Sequence, residues 1–226
     1  MNIKHIFFYL DHTLWDFETN SDNTFEFILK RNNIQVDLSE FKERYRPINR
    51  KYWKLFREDK VTKSNLRYAR LKETFDEMNY QIEDSEINLL AIEYITYLSQ
   101  YNNLFEGAIE VLEYLKVKYE LHIITNGFEE VQFKKLENSN LLPFFNQIIT
   151  SEKIGVKKPN PKIFQYALHI SNAKPSESFM IGDNLEADIF GAKNVGMHTI
   201  FCKFNGEESP RDMLSVSKLE QIKSFL

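Results

Sequence analysis

The chain has 226 residues, 42% hydrophobic and 27% charged, with a formal net charge of −4. That length buries a sizeable core, the composition is ordinary for a soluble globular protein, and the acidic balance leaves no footprint for a nucleic-acid polymer. The single cysteine, Cys202, excludes an internal disulfide and reads as a buried thiol in a reducing, cytoplasmic compartment.

The first element is an apolar run over residues 3–10, the right length for a central parallel strand and too short for a membrane span or a signal-peptide core. It ends in Tyr9-Leu10-Asp11-His12. Asp11 is the first residue able to leave the sheet and face a ligand, though Asp is equally common in turns. His12 reads as a polar loop residue. Residues 17–100 hold one proline, Pro47, and no glycine, with apolar residues recurring at helical spacing (Phe25, Ile28, Leu29; Tyr52, Trp53, Leu55, Phe56; Ile87, Leu90, Ala91, Tyr94). The pattern predicts four or five helices, with Ser64 and Ser85 as N-caps.

The chain returns near Phe105-Glu106-Gly107. A strand over 121–124 runs into Thr125-Asn126-Gly127, which taken alone reads as an N-cap and turn and, beside the other strand ends, as an anion cradle. Lys157-Lys158-Pro159-Asn160-Pro161 follows, with a helix starting at Pro161; a lysine fixed there could neutralise a phosphate or a carboxylate, or lie in solvent. A short strand over 178–181 then gives way to Gly182-Asp183, with Asp188 five residues beyond. Two carboxylates on the carboxyl edge of a parallel sheet repel unless a hard cation, Mg²⁺ above all, sits between them. A helix N-terminus decorated with acids is the competing reading.

Helix patterns over 108–117, 129–138, 161–170, 187–194 and 218–225 alternate with strands ending near Tyr9, Ile124, Ile149, Ile181 and Phe201. This alternation implies a Rossmann-like α/β three-layer sandwich with a parallel sheet. The expected organisation is an α/β core from residues 1–16 and 101–226, with an inserted all-α helical bundle at 17–100.

The order strand-Asp, strand-Thr-Asn-Gly, Lys-Pro, strand-Gly-Asp-x4-Asp resembles the haloacid dehalogenase superfamily of phosphohydrolases over about residues 3–16 and 104–204. Asp11-His12-Thr13-Leu14-Trp15, Ile124-Thr125-Asn126-Gly127-Phe128, the run 151–159 and Lys162-Ile163-Phe164 resemble its pyrimidine 5′-nucleotidase subgroup. The resemblance implies a Mg²⁺-dependent phosphomonoester hydrolase acting on a small phosphorylated metabolite, a nucleotide, away from membranes. It implies that Asp11 is general acid and base and lends its carbonyl to the metal. Asp183 would bind the metal, with Asp188 in the same acidic cluster. Thr125, Lys158 and the backbone near Asn126 would hold the phosphoryl group. The helical cap would close over the site and select the leaving group, with Arg46, Asn49, Tyr52, Trp53 and Arg67 as candidate contacts.

One position departs from the family pattern. Where the family carries its nucleophilic aspartate, this chain carries Tyr9. A phenol with a pKa near 10 cannot form an acyl phosphate and is a poor Mg²⁺ ligand. Losing a covalent nucleophile costs on the order of 10⁴ to 10⁶ in rate. Three accounts stand side by side: an isolated change one base away from an Asp codon, a natural inactivation leaving a binding or regulatory protein, or a tyrosine nucleophile.

Overall fold

Six strands, β1 (His5–Phe8), β2 (Glu120–Thr125), β3 (Gln147–Thr150), β4 (Ser178–Gly182), β5 (His198–Cys202) and β6 (Ser215–Val216), form one sheet in the computed structural model, which describes all residues except 1, 205, 207 and 211. The strands pair in the order β3-β2-β1-β4-β5-β6, all parallel. The chain builds outward from β1 to β3 on one side, then returns to build β4 to β6 on the other. The order therefore reverses between β1 and β4, the place where open α/β sheets bind ligands. Phe8 is in register with Ile123 on one side and Ile181 on the other, so the carboxyl ends of β2, β1 and β4 lie level. Tyr9 continues β1 by one bond, its N–H donating to Ile181 O at 2.9 Å.

The chain divides into two compact units, residues Met1–Phe17 with Asn102–Leu226, and Glu18–Tyr101. The second unit is built from α1 (Phe17–Arg31), α2 (Leu38–Arg57), α3 (Lys63–Glu77) and α4 (Asp84–Tyr97). Its core is aromatic: Phe25 packs on Phe41, Tyr45 and Tyr94, and Phe41 on Phe75. Arg70 is buried within it, donating to Asn49 Oδ1 at 2.8 Å and lying 4.9 Å from the Tyr94 ring centroid. Burial pushes the Tyr45 and Tyr94 phenols up, which keeps both neutral.

In the first unit the sheet is flanked by α5 (Ala108–Lys116), α6 (Glu129–Asn138), α7 (Ser151–Ile154), α8 (Pro161–Ile170) and α9 (Gly191–Lys193). On one face Phe7, Ile124, Ile149 and Met180 meet Ile163, Phe164, Ala167 and Leu168 of α8. Pro161 opens α8 where its missing N–H costs nothing, and Asn160 caps it by accepting from Lys162 N–H at 3.0 Å. At the opposite strand end, burial and the neighbouring His5 push the His122 imidazole down to about 3.

Some boundaries differ from the sequence reading. Thr62, not Ser64, caps α3, accepting from Asn65 N–H at 3.1 Å. Glu83, not Ser85, precedes α4, and the Glu86 carboxylate accepts its N–H at 3.2 Å. The helix expected over 187–194 begins earlier, as a π-helical turn over Leu185–Phe190 followed by α9. The last helix is a tighter 3₁₀ segment, Leu219–Ser224. Strand β6, two residues long, was not foreseen. Cys202 is buried at the end of β5, and its thiol is pushed well up, first by burial and then by the charges of Asp183 and Asp188. Among the described residues no helix is long and apolar enough to cross a membrane.

Candidate active site

The loop after β1 is a tight turn around one carbonyl. Leu10 O accepts from Leu14 and Trp15 N–H at 2.9 and 3.0 Å, with His12 in the left-handed region at φ 59°. This turn buries Asp11 and aims its carboxylate at α6. Lys135 Nζ donates to Oδ1 at 2.5 Å and Gln132 Nε2 to Oδ2 at 2.7 Å. The two donors stand three residues apart on one helix, hence on one face. Lys135 is itself buried, its ammonium 4.0 Å from the Trp15 ring centroid. Sequence reasoning missed both residues, because polar side chains at that spacing look like a solvated helix face.

At the end of β2, Thr125 is fully buried and its Oγ1 accepts from Gly127 N–H at 2.9 Å. Gly127 leaves room for the Gln132 side chain, whose Nε2 would lie 1.7 Å from a Cβ there and would have to move. The Asn126 amide clamps the backbone of Lys158 in both directions, accepting from its N–H at 2.8 Å and donating to its carbonyl at 3.0 Å. Asn126 thereby places Lys158 through its side chain, which leaves only its backbone to face an anion.

Lys158 is 1% exposed. Its Nζ donates to Ile124 O at 2.9 Å and to Asp188 Oδ1 at 2.5 Å, and sits 3.9 Å from the Tyr9 ring centroid. Asp188 is fully buried, and its other oxygen accepts from Asn184 N–H at 3.1 Å. Asn184 starts the π-helical turn, its Oδ1 accepting from Ala187 N–H at 2.8 Å. Gly182 makes room for this arrangement, since a Cβ there would meet the Asp188 carboxylate at 2.4 Å.

Asp183 is the exception among these acids. Asp11 is matched by Lys135 and Asp188 by Lys158. Asp183 Oδ1 is buried and accepts no hydrogen bond. Burial, then the Asp188 charge, push its carboxyl well above the usual range; Lys158 opposes and Asp11 adds to the rise. A buried, orphaned carboxylate oxygen beside other acids fits a hard divalent cation, which would satisfy the lone pair and remove the repulsion. Asp183 Oδ1 could hold such an ion, whereas Asp188 is already paired with Lys158. Tyr9, half-buried, puts a phenol rather than a carboxylate at the end of β1.

These residues converge at the carboxyl edge of one parallel sheet, and a family model described as haloacid dehalogenase-like hydrolase matches residues 6–202. The chain belongs to this family. It is 33% identical over 203 residues to the pyrimidine 5′-nucleotidase PynA of Streptococcus pneumoniae, covering 89% of this chain and 84% of that protein. It is 28% identical over 225 residues to the pyrimidine 5′-nucleotidase YjjG of Escherichia coli, covering 98% and 96%. The crystal structure of the HAD-hydrolase YfnB from Bacillus subtilis bound to magnesium superposes with a TM-score of 0.91 at 28% identity, covering 100% of this chain and 99% of that one. The hydrolase class and the haloacid dehalogenase fold of this chain follow.

The five cap residues singled out from sequence lie in the second unit. Arg46 bridges Glu18 at 2.9 Å and Asp22 at 2.8 Å. Asn49 is buried and accepts from Arg70. The Tyr52 hydroxyl donates to Glu73 at 2.9 Å, and that bond, after burial, pushes its pKa up to about 12. Trp53 meets Phe56 edge-on at 5.7 Å, and Arg67 is half-buried on α3. The first three are thus engaged with other side chains of that unit, Asn49 in its interior and Arg46 and Tyr52 nearer its surface.

Proposed function

We propose that this chain is built as a Mg²⁺-dependent phosphomonoesterase for nucleoside 5′-monophosphates, with pyrimidine preference, whose turnover is suppressed by Tyr9. One observation carries the reading: Lys158, anchored by Asp188, and the orphaned oxygen of Asp183 flank the carboxyl end of β1. That edge offers a cation for phosphoryl oxygens and an oxygen ligand for a metal, which is what in-line phosphoryl transfer requires. The nucleotidase relatives support the substrate class, and the magnesium of the YfnB structure supports the ion.

Bound Mg²⁺ would supply charge neutralisation on the transferring phosphoryl group, held by Asp183 and the Asp11 carbonyl. Lys158 and the Thr125 hydroxyl hold phosphoryl oxygens. Asp11, positioned by Gln132 and Lys135, hands a proton to the leaving alkoxide and later takes one from water. With aspartate at position 9, its carboxylate attacks phosphorus and the alkoxide leaves. With Tyr9 that bond does not form, and the ring lies over Lys158 instead.

A second reading rests on the same residue: a catalytically silent member of the family that binds phosphate esters in a regulatory role. One experiment separates the two. The chain and its Tyr9→Asp variant are assayed with Mg²⁺ against uridine, thymidine and purine monophosphates and sugar phosphates. The enzyme reading expects the variant to gain on the order of 10⁴ in rate, with uridine and thymidine monophosphates best by kcat/KM. A variant that binds uridine monophosphate without turnover supports the silent reading. Sugar phosphates leading by about tenfold, roughly 1.4 kcal/mol, would overturn the pyrimidine preference.

A further inference from the structure

At the amino-terminal edge of the sheet, far along β1 and β2 from the acids described above, three ligating side chains meet. His5 and Glu120 are register partners on adjacent strands, and His122 follows Glu120 by two residues, so it lies on the same face. His5 Nδ1 and His122 Nε2 are 3.2 Å apart. Glu120 Oε2 is 3.9 Å from His5 Nδ1, and the three ligand atoms all lie within 4.8 Å of one another. We propose that His5, His122 and Glu120 form a second metal site, selective for a zinc-type transition ion.

The geometry supports this in three ways. Two nitrogens bound to tetrahedral Zn²⁺ at 2.0–2.1 Å lie about 3.3–3.4 Å apart, so the two rings already stand near the required edge. Glu120 is 59% exposed at its side chain, so a rotamer change brings its oxygen in without moving the sheet. The His122 ring is held from behind: its Nδ1 lies 3.4 Å from Ser171 Oγ and its face stacks on Phe7 at 4.6 Å. An Nδ1–H donating to Ser171 leaves Nε2 as a lone pair aimed at the site, the usual outer-shell arrangement for a metal-bound histidine. His5 then carries its proton on Nε2, a tautomer change with no net proton loss. Two imidazoles and one carboxylate suit Zn²⁺ and disfavour Mg²⁺, which takes oxygen donors. Water would complete the tetrahedron from the exposed side.

The competing arrangement is a self-sufficient hydrogen bond from His5 Nδ1–H to His122 Nε2. Co²⁺ distinguishes the two, because tetrahedral Co²⁺ absorbs strongly in the visible and its spectrum does not depend on phosphatase activity. The full chain is titrated with Co²⁺ in excess Mg²⁺, so that the acidic cluster is occupied by the hard cation. The expected result is one tight Co²⁺ per chain with a tetrahedral band, displaced by Zn²⁺. Glu120→Gln should weaken it at least about tenfold, His5→Gln should remove it, and Asp183→Asn should leave it unchanged. Glu120 is exposed, so its variant decides the matter even if His5→Gln does not fold. Absence of the band, a band equally strong in Glu120→Gln, or a band lost in Asp183→Asn would overturn the proposal.

Discussion

Asp183 concentrates the electrostatic strain of the candidate site. Its Oδ1 is buried without a hydrogen bond, and burial with the Asp188 charge disfavours its ionised form. A carboxylate with one buried, unpartnered oxygen beside another acid is disfavoured, and removing its charge relieves the cost. Asp183→Asn should therefore raise the Tm of the metal-free protein. Mg²⁺ should raise the Tm of the unsubstituted chain by mass action and leave that of the variant unmoved. Differential scanning calorimetry with Mg²⁺ or with a chelator checks both signs. A lower Tm for metal-free Asp183→Asn would mean that the carboxylate is held by contacts other than a cation. Asp183 itself was legible in the sequence, since a Gly-Asp pair between a short apolar run and a helical pattern marks the end of a strand. The unpartnered Oδ1 was not legible, because it depends on Lys158 being spent on Asp188 from thirty residues away.

At the scale of elements, α6 does what no local pattern announces. Lys135 and Gln132 cross to the β1 loop and hold Asp11, more than a hundred positions earlier in the chain. Lys135→Met removes the cation from a pair in which both partners are buried, which typically costs about 3–5 kcal/mol. Urea denaturation should show a loss of that order, and the double variant Lys135→Met with Asp11→Asn should recover part of it. Full additivity of the two single losses would show that the pair is not coupled.

The turn after β4 offers a second element-scale test. A methyl at position 182 would collide with the Asp188 carboxylate, so Gly182→Ala should displace it from Lys158. The expected cost is about 1–3 kcal/mol, read by urea denaturation. In the Tyr9→Asp background, kcat should fall as well. Unchanged stability and unchanged kcat together would mean that the turn yields without disturbing Lys158.

Element positions were legible where the period is long and the punctuation strong: Pro161 at the start of α8 is one case. They were not where two hydroxyls compete, as Thr62 and Ser64 do, because capping is decided by backbone angles. The π-helical turn was hidden for a related reason. Apolar spacing over 187–194 suits an α-helix, whereas the Asn184 and Asp188 anchors draw the turn's start back to Leu185. Strand β6 is too short for any period to show.

For the whole molecule, the division into two units follows from composition as well as from geometry. The segment Glu18–Tyr101 has its own aromatic core around Phe25, Phe41, Tyr45 and Tyr94, and its own buried cation in Arg70. The chain leaves and re-enters the first unit at one place. Asp16 N–H donates to Asn103 O at 3.0 Å, Phe105 N–H donates to Leu14 O at 3.0 Å, and Trp15 bridges Leu104. A short linker can therefore close the gap at small entropic cost, since loop closure depends only weakly on length. Replacing residues 18–101 by a few Gly and Ser residues in the Tyr9→Asp background should leave a folded α/β unit with its Asp11–Lys135 and Lys158–Asp188 pairs intact. That protein should still hydrolyse p-nitrophenyl phosphate with Mg²⁺, because those pairs and Asp183 all belong to the first unit. It should lose its discrimination among nucleoside monophosphates, with kcat/KM ratios collapsing toward unity, if the inserted bundle selects the leaving group. Retained pyrimidine preference in the shortened protein would move specificity into the α/β unit and leave the bundle without a selective role.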